Sequence, residues 1–218
     1  MTSTTKRILV AGAMAVVIGA AALAEYFGIP AVRWLAVAVA VGMVVEFFLA
    51  ARQGMKNKDK GIKKFARTSI LFLVPYALIL ITAAYFVGGR PWIILLLLLV
   101  IAAADIGGWF FGPRLGGDKM WPALTPKKTW SGQIAGILCG TAIAVLYGLL
   151  GTDNFMPQLM WIGMSVALMS QYGDLTGSWL KRRLGIKDFS SILPGHGGLI
   201  DRFDGWIYVL PIVWFVIL

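Results

Sequence analysis

Asp201 and Asp204 stand three residues apart in GLIDRFDG, and Asp174 opens the earlier run GDLTGSWLKRR. Residues three apart share a helix face, so Asp201 and Asp204 bring two negative charges together. Near hydrocarbon, such a pair is expensive unless something compensates it. A hard divalent cation such as Mg²⁺, taking oxygen ligands and shared with substrate phosphates, is one compensation. Ion pairing with Arg202, Lys181 or Arg182, with no metal, is the other, and the residues alone leave both open.

The segment between these acids adds anion-binding chemistry. Asp174, Ser178, Lys181 and Arg182 fall at i, i+4, i+7 and i+8, which on one helix makes a stripe of acid, hydroxyl and two cations. The cations of such a stripe suit phosphate, and they equally suit snorkelling to lipid headgroups. Pro194-Gly195-His196-Gly197-Gly198 supplies glycines whose amides can approach a phosphate closely, or it is a plain turn. A second polar loop, GPRLGGDKMWPALTPKKTWSG, offers Lys127 and Lys128 as a clamp with the hydroxyls of Thr129 and Ser131. Such a basic loop is also what membrane topology alone requires.

The elements that must position these residues are apolar. Hydrophobic residues are 59% of the 218 and charged ones 14%, arranged in long uncharged runs. That composition excludes an ordinary soluble domain and predicts an all-α integral membrane protein. Seven spans are expected, over about 8–24, 31–50, 69–87, 92–111, 133–150, 157–173 and 202–218, forming one polytopic domain with its polar chemistry at 173–205. The first span also fits a secretory signal peptide, with Lys6-Arg7 before it and Ala22-Leu23-Ala24 after its apolar stretch. Cys139, the one cysteine, excludes an internal disulfide and reads as a small packing residue. In the fifth span Gly132, Gly136, Gly140, Ala144 and Gly148 place a small residue at every fourth position, a stripe for close helix packing inside the chain or between copies.

The cations give the orientation. Between alternate spans, Arg52 to Arg67, Arg114 to Lys128 and Lys181 to Lys187 gather nearly every Lys and Arg on one side, and only Arg33 and Arg90 fall on the other. By the positive-inside rule the rich side is cytoplasmic. Asp174, Asp201 and Asp204 fall at that side, and Asp105, thirteen residues after Trp92, lies roughly 20 Å along its helix toward it. The expected active site therefore faces the cytoplasm from the inner membrane of a bacterium. The net charge of +10 favours anionic lipids and phosphorylated substrates, and nothing points to nucleic acid.

Taken together these residues resemble the phosphatidate cytidylyltransferase (CDP-diacylglycerol synthase) family. Its signature, S-x-x-K-R-x4-K-D, a spacer, then P-G-H-G-G-x-x-D-R-x-D, is filled here by Ser178, Lys181, Arg182, Lys187, Asp188, Pro194, Gly195, His196, Gly197, Gly198, Asp201, Arg202 and Asp204. The resemblance extends more loosely through Asp174, the Pro126-Lys127-Lys128-Thr129-Trp130 stretch and Asp105, about the second half of the chain. Ser131 and Gly177 stand where members usually carry Glu, and the chain is shorter than most members. The resemblance implies conversion of CTP and phosphatidate to CDP-diacylglycerol and pyrophosphate, with Mg²⁺, alone or with a second cation. It assigns Asp174, Asp201 and Asp204 to metal, and Ser178, Lys181 and Arg182 to phosphate. Lys127, Lys128, Thr129, Ser131, Lys187, Asp188, Asp105, Arg202 and the Gly195–Gly198 segment with His196 fall on the substrate side. Membrane lipids are expected partners, and the resemblance leaves a homodimer open. A CTP-dependent polyprenol or phytol kinase and, more remotely, an ion-coupled transporter are the competing readings.

Overall fold

The computed structural model describes residues 3–152, 157–194 and 197–217. Among the described residues the elements follow one another as α1 (Ser3–Tyr26), α2 (Ala31–Met55), α3 (Lys60–Gly88), α4 (Pro91–Leu115), β1 (Lys119–Trp121), β2 (Thr125–Thr129), α5 (Trp130–Thr152), α6 (Pro157–Leu184), α7 (Ile200–Phe203) and α8 (Trp206–Ile217). Helices α1 to α5 are long and apolar enough to cross a membrane. A helix satisfies all its backbone groups internally, which is why this sequence class builds helices in lipid. The chain is thus an all-α integral membrane protein, with a small hairpin, β1–β2, between α4 and α5.

The last two expected spans take a different form. The 157–173 span is the first part of α6, which runs on to Leu184 and carries its basic end Lys181-Arg182-Arg183. Over 202–218 the chain makes not one helix but α7, a turn at Asp204–Gly205 and then α8. Twelve residues of α8 rise about 18 Å, short of a roughly 30 Å hydrocarbon core. The turn falls at Gly205, where a Cβ would lie 3.3 Å from that of Ser170, so the backbone passes tightly against α6 there.

Two compact units form by packing, one from Met1–Pro91, Trp179–Asp204 and Leu210–Leu218, the other from Trp92–Ser178 and Gly205–Val209. In the first, α2 and α3 pack along their length. Glu25 of α1 accepts a hydrogen bond from Val32 N–H in the opening turn of α2, at 3.1 Å. Asp59 caps α3, accepting from Gly61 and Ile62 N–H at 2.7 and 3.2 Å. The core includes Ala40, Ala50, Ala51, Ala66, Ala83 and Ala84, small side chains that let these helices approach closely.

In the second unit the small-residue stripe of α5 meets neighbours within the chain. A Cβ on Gly132 would lie 3.0 Å from Gly108 O of α4, and one on Gly140 2.8 Å from the Ala167 Cβ of α6. One on Gly163 would meet the Ala144 Cβ, and one on Gly107 would lie 2.8 Å from Cys139 Sγ. The stripe is an intramolecular seam joining α5 to α4 and α6, and Cys139 is a packing residue within it.

Candidate active site

In the unit that holds α4 to α6, the hairpin positions the polyphosphate-clamp candidates. Strands β1 and β2 pair antiparallel, with Trp121 opposite Thr125 and Lys119 opposite Thr129. Thr129 ends β2 and caps α5: its Oγ1 accepts from Gly132 N–H at 3.1 Å, the third residue of the helix. It also lies 3.0 Å from Ser131 Oγ, whose hydroxyl donates to Gly116 O. Both hydroxyls, assigned to substrate from the sequence, are therefore engaged in joining hairpin, helix and the end of α4. Lys127 is exposed, whereas Lys128 Nζ forms an ion pair with Asp174 of α6. The charges of Asp174 and Lys128 both act on Asp105 of α4.

Two glutamines unused by the sequence reading sit in the same unit. Gln171 Nε2 donates to Gln133 O at 3.3 Å, and its Oε1 is buried without a hydrogen-bond partner. Gln171 precedes Asp174 by three residues, so its helix spacing was the available signal.

The other unit holds the end of α6 and the signature segment. Because α6 continues to Leu184, Asp174, Ser178, Lys181 and Arg182 do lie on one helix. It ends at Gly185, φ +71°, with Ile186 N–H donating to Lys181 O at 2.9 Å and Gly185 N–H to Arg182 O at 3.2 Å. That is a Schellman motif, and the left-handed residue is why glycine stands there. The chain then doubles back, and Asp201 collects it. Its Oδ1 accepts from Lys181 Nζ at 2.7 Å, and its Oδ2 from Phe189 and Gly198 N–H at 3.0 and 2.9 Å. Gly197 has φ +83° and forms a bridge with Leu193; a Cβ on it would lie 2.8 Å from Asp201 Oδ2. Arg182, Lys187, Asp188 and Arg202 are exposed; Asp204 closes α7 in helical conformation. Gly195 and His196 lie outside the described residues.

The whole chain, residues 1–218, matches the model of the Cytidylyltransferase family. The chain belongs to that family. Phosphatidate cytidylyltransferase of Rickettsia bellii (strain RML369-C) is 33% identical over 192 residues, covering 84% of this chain and 78% of the relative. The proteins of that name from Staphylococcus aureus (strain COL) and Staphylococcus saprophyticus are 40% and 37% identical, each over 50% of this chain and 42% of the relative.

As a cytidylyltransferase the chain offers carboxylates beside lysines as its charged groups. Among the described residues no three His, Cys, Asp or Glu side chains gather as a closed cage for a metal. An ionised carboxylate has about four lone-pair sites, and three donors occupy those of Asp201. The donor chemistry fits Mg²⁺ taking few protein oxygens, with phosphate and water completing its shell.

Proposed function

We propose that this cytidylyltransferase is a phosphatidate cytidylyltransferase, transferring the cytidylyl group of CTP to phosphatidate and releasing pyrophosphate. The family match over the whole chain carries this reading, and the names of the relatives supply the acceptor. A phosphate oxygen of phosphatidate attacks the α-phosphorus of CTP, the P–O bond to the β-phosphate breaks, and pyrophosphate leaves with that electron pair. The nucleophile is already an anion, so no strong general base is required. What the protein must supply is neutralisation and alignment of two polyanions.

Lys181, Arg182 and Ser178 are our assignments to phosphate, and Lys127, Lys128 and the Gly197 amide to the triphosphate of CTP; the Gly198 amide is held by Asp201. Asp174, Asp201 and Asp204 are our assignments to Mg²⁺, which would supply further positive charge to the phosphates. Lys128 and Lys181 each rest on an aspartate, so both ammonium groups are held in place before substrate arrives. The distribution of Lys and Arg supports a cytoplasmic face of a bacterial inner membrane, where a lipid headgroup and a soluble nucleotide meet. A homodimer would have to use a face other than the glycine stripe of α5, which is spent inside the chain.

The test is an assay of purified protein with labelled CTP and phosphatidate. Equal amounts of pyrophosphate and CDP-diacylglycerol are expected, only when phosphatidate is present. Release of CDP with a phosphorylated alcohol would overturn the reading in favour of a lipid kinase.

A further inference from the structure

Glu46 is the one acid in the apolar run between Arg33 and Arg52, in the body of α2. It is 2% exposed, and no Lys or Arg pairs with it among the described residues. Its partners come from the signature segment, 144 to 154 residues away in the chain. Ser190 Oγ–H and Leu199 N–H donate to Oε1, the latter at 3.1 Å, and Ile200 N–H donates to Oε2 at 2.7 Å. Ser190 Oγ in turn accepts from Ile192 N–H at 3.2 Å. Hydrogen bonds to an ionised acceptor are about twice as strong as neutral ones, which is what a buried carboxylate in a span requires.

The surrounding surface is shaped for this contact. A Cβ on Gly198 would run into the Glu46 carboxylate, so glycine is what lets the backbone reach it. One turn earlier on α2, a Cβ on Gly42 would lie 2.6 Å from Leu199 Cδ1. The next residue, Phe47, packs its ring 6.2 Å from that of Phe189. Two carboxylates thus interleave on one short stretch: Asp201 takes the amides of Phe189 and Gly198, and Glu46 takes Ser190, Leu199 and Ile200.

We propose that Glu46 is a positioning residue for nucleotide transfer, fixing from α2 the segment that presents the Gly197 amide to the triphosphate. The proposal rests on the function assigned above. It touches no reacting atom; it acts through the placement of groups that do, and displacement of such groups by about 1 Å can cost on the order of 10²-fold in rate.

The experiment uses the full chain in detergent, as wild type, Glu46→Gln, Ser190→Ala and the double variant. Gln keeps the shape but turns one acceptor into a donor facing donors. Amide exchange is measured without substrate, and KM is measured separately for CTP and for phosphatidate. Glu46→Gln should speed exchange at Leu199 and Ile200 while leaving α3 and α5 unchanged. It should raise KM for CTP about tenfold, with KM for phosphatidate unmoved. The double variant should be no worse than Glu46→Gln, because both remove one network. Unchanged exchange in the segment, faster exchange throughout the chain, or an equal rise in both KM values would overturn the proposal. If Glu46→Gln does not fold, Ser190→Ala decides it by the same exchange signature. Exchange needs no turnover, so a wild type that makes no CDP-diacylglycerol would sink the functional reading and leave the exchange arm to judge the clamp.

Discussion

Among the described residues a lysine–aspartate pair stands in each unit of the molecule, and these two pairs are held very differently. Lys128 and Asp174 are 33% and 35% exposed and bridge a hairpin to a helix. Lys181 and Asp201 are 17% and 6% exposed, and Asp201 accepts two backbone amides as well. An exposed pair is worth at most about 1 kcal/mol and weakens with salt. Breaking a buried pair by removing one partner costs several times more, because the other charge is stranded. The first pair can exchange its partner for a phosphate at little cost to the fold. The second is part of the fold.

The contrast breaks first at Asp201. Asp201→Asn should lower activity by about 10²–10³ and destabilise the protein by about 3 kcal/mol, read by thermal unfolding in detergent. A stable, fully active variant would remove the distinction between the pairs. Asp174→Asn sharpens it from the other side: a similar loss of about 10²–10³ in rate, with under about 1 kcal/mol of stability lost. If it destabilises as much as Asp201→Asn, the exposed pair is structural too. Gly140→Leu tests the seam beneath the Lys128 pair. Overpacking against Ala167 and Val100 should cost about 1–3 kcal/mol, and an unchanged melting temperature would count against a packed stripe. The smallest effect is Thr129→Val, which loses the cap of α5 for about 1 kcal/mol. A large KM change for CTP without that destabilisation would return Thr129 to the substrate.

How much of this was legible depended on distance along the chain. The stripe Asp174, Ser178, Lys181 and Arg182 could be read because helical spacing is local and α6 keeps it to Leu184. The first five spans were legible for the same reason, as long uncharged runs. The break at Gly205 was not, because an apolar run says nothing of the close approach to Ser170. The hairpin over Lys119–Thr129 was missed because Pro126 and the basic residues mask its short strands. Thr129 and Ser131 looked free for substrate because their partners, Gly112 and Gly116, come from the preceding helix and its end. Glu46 gave only the signal that any acid in a span gives. Its role needed Ser190, Leu199 and Ile200, more than a hundred residues away.

The stretch from Gly185 to Ile200 has a consequence for how this chain can vary in length. Its ends and middle are fastened by the helix stop at Gly185, the Leu193–Gly197 bridge and the amides on Asp201 and Glu46. An inserted residue between Phe189 and Leu193 would change the spacing between the Phe189 amide and Asp201, and between Ser190 and the Leu199 and Ile200 amides that share Glu46. Side chains at exposed sites such as Ser191 can be exchanged. The hairpin tip at Pro122 and Ala123, exposed and between the paired strands, is where the same chain can accept an insertion, a tag or a fused reporter.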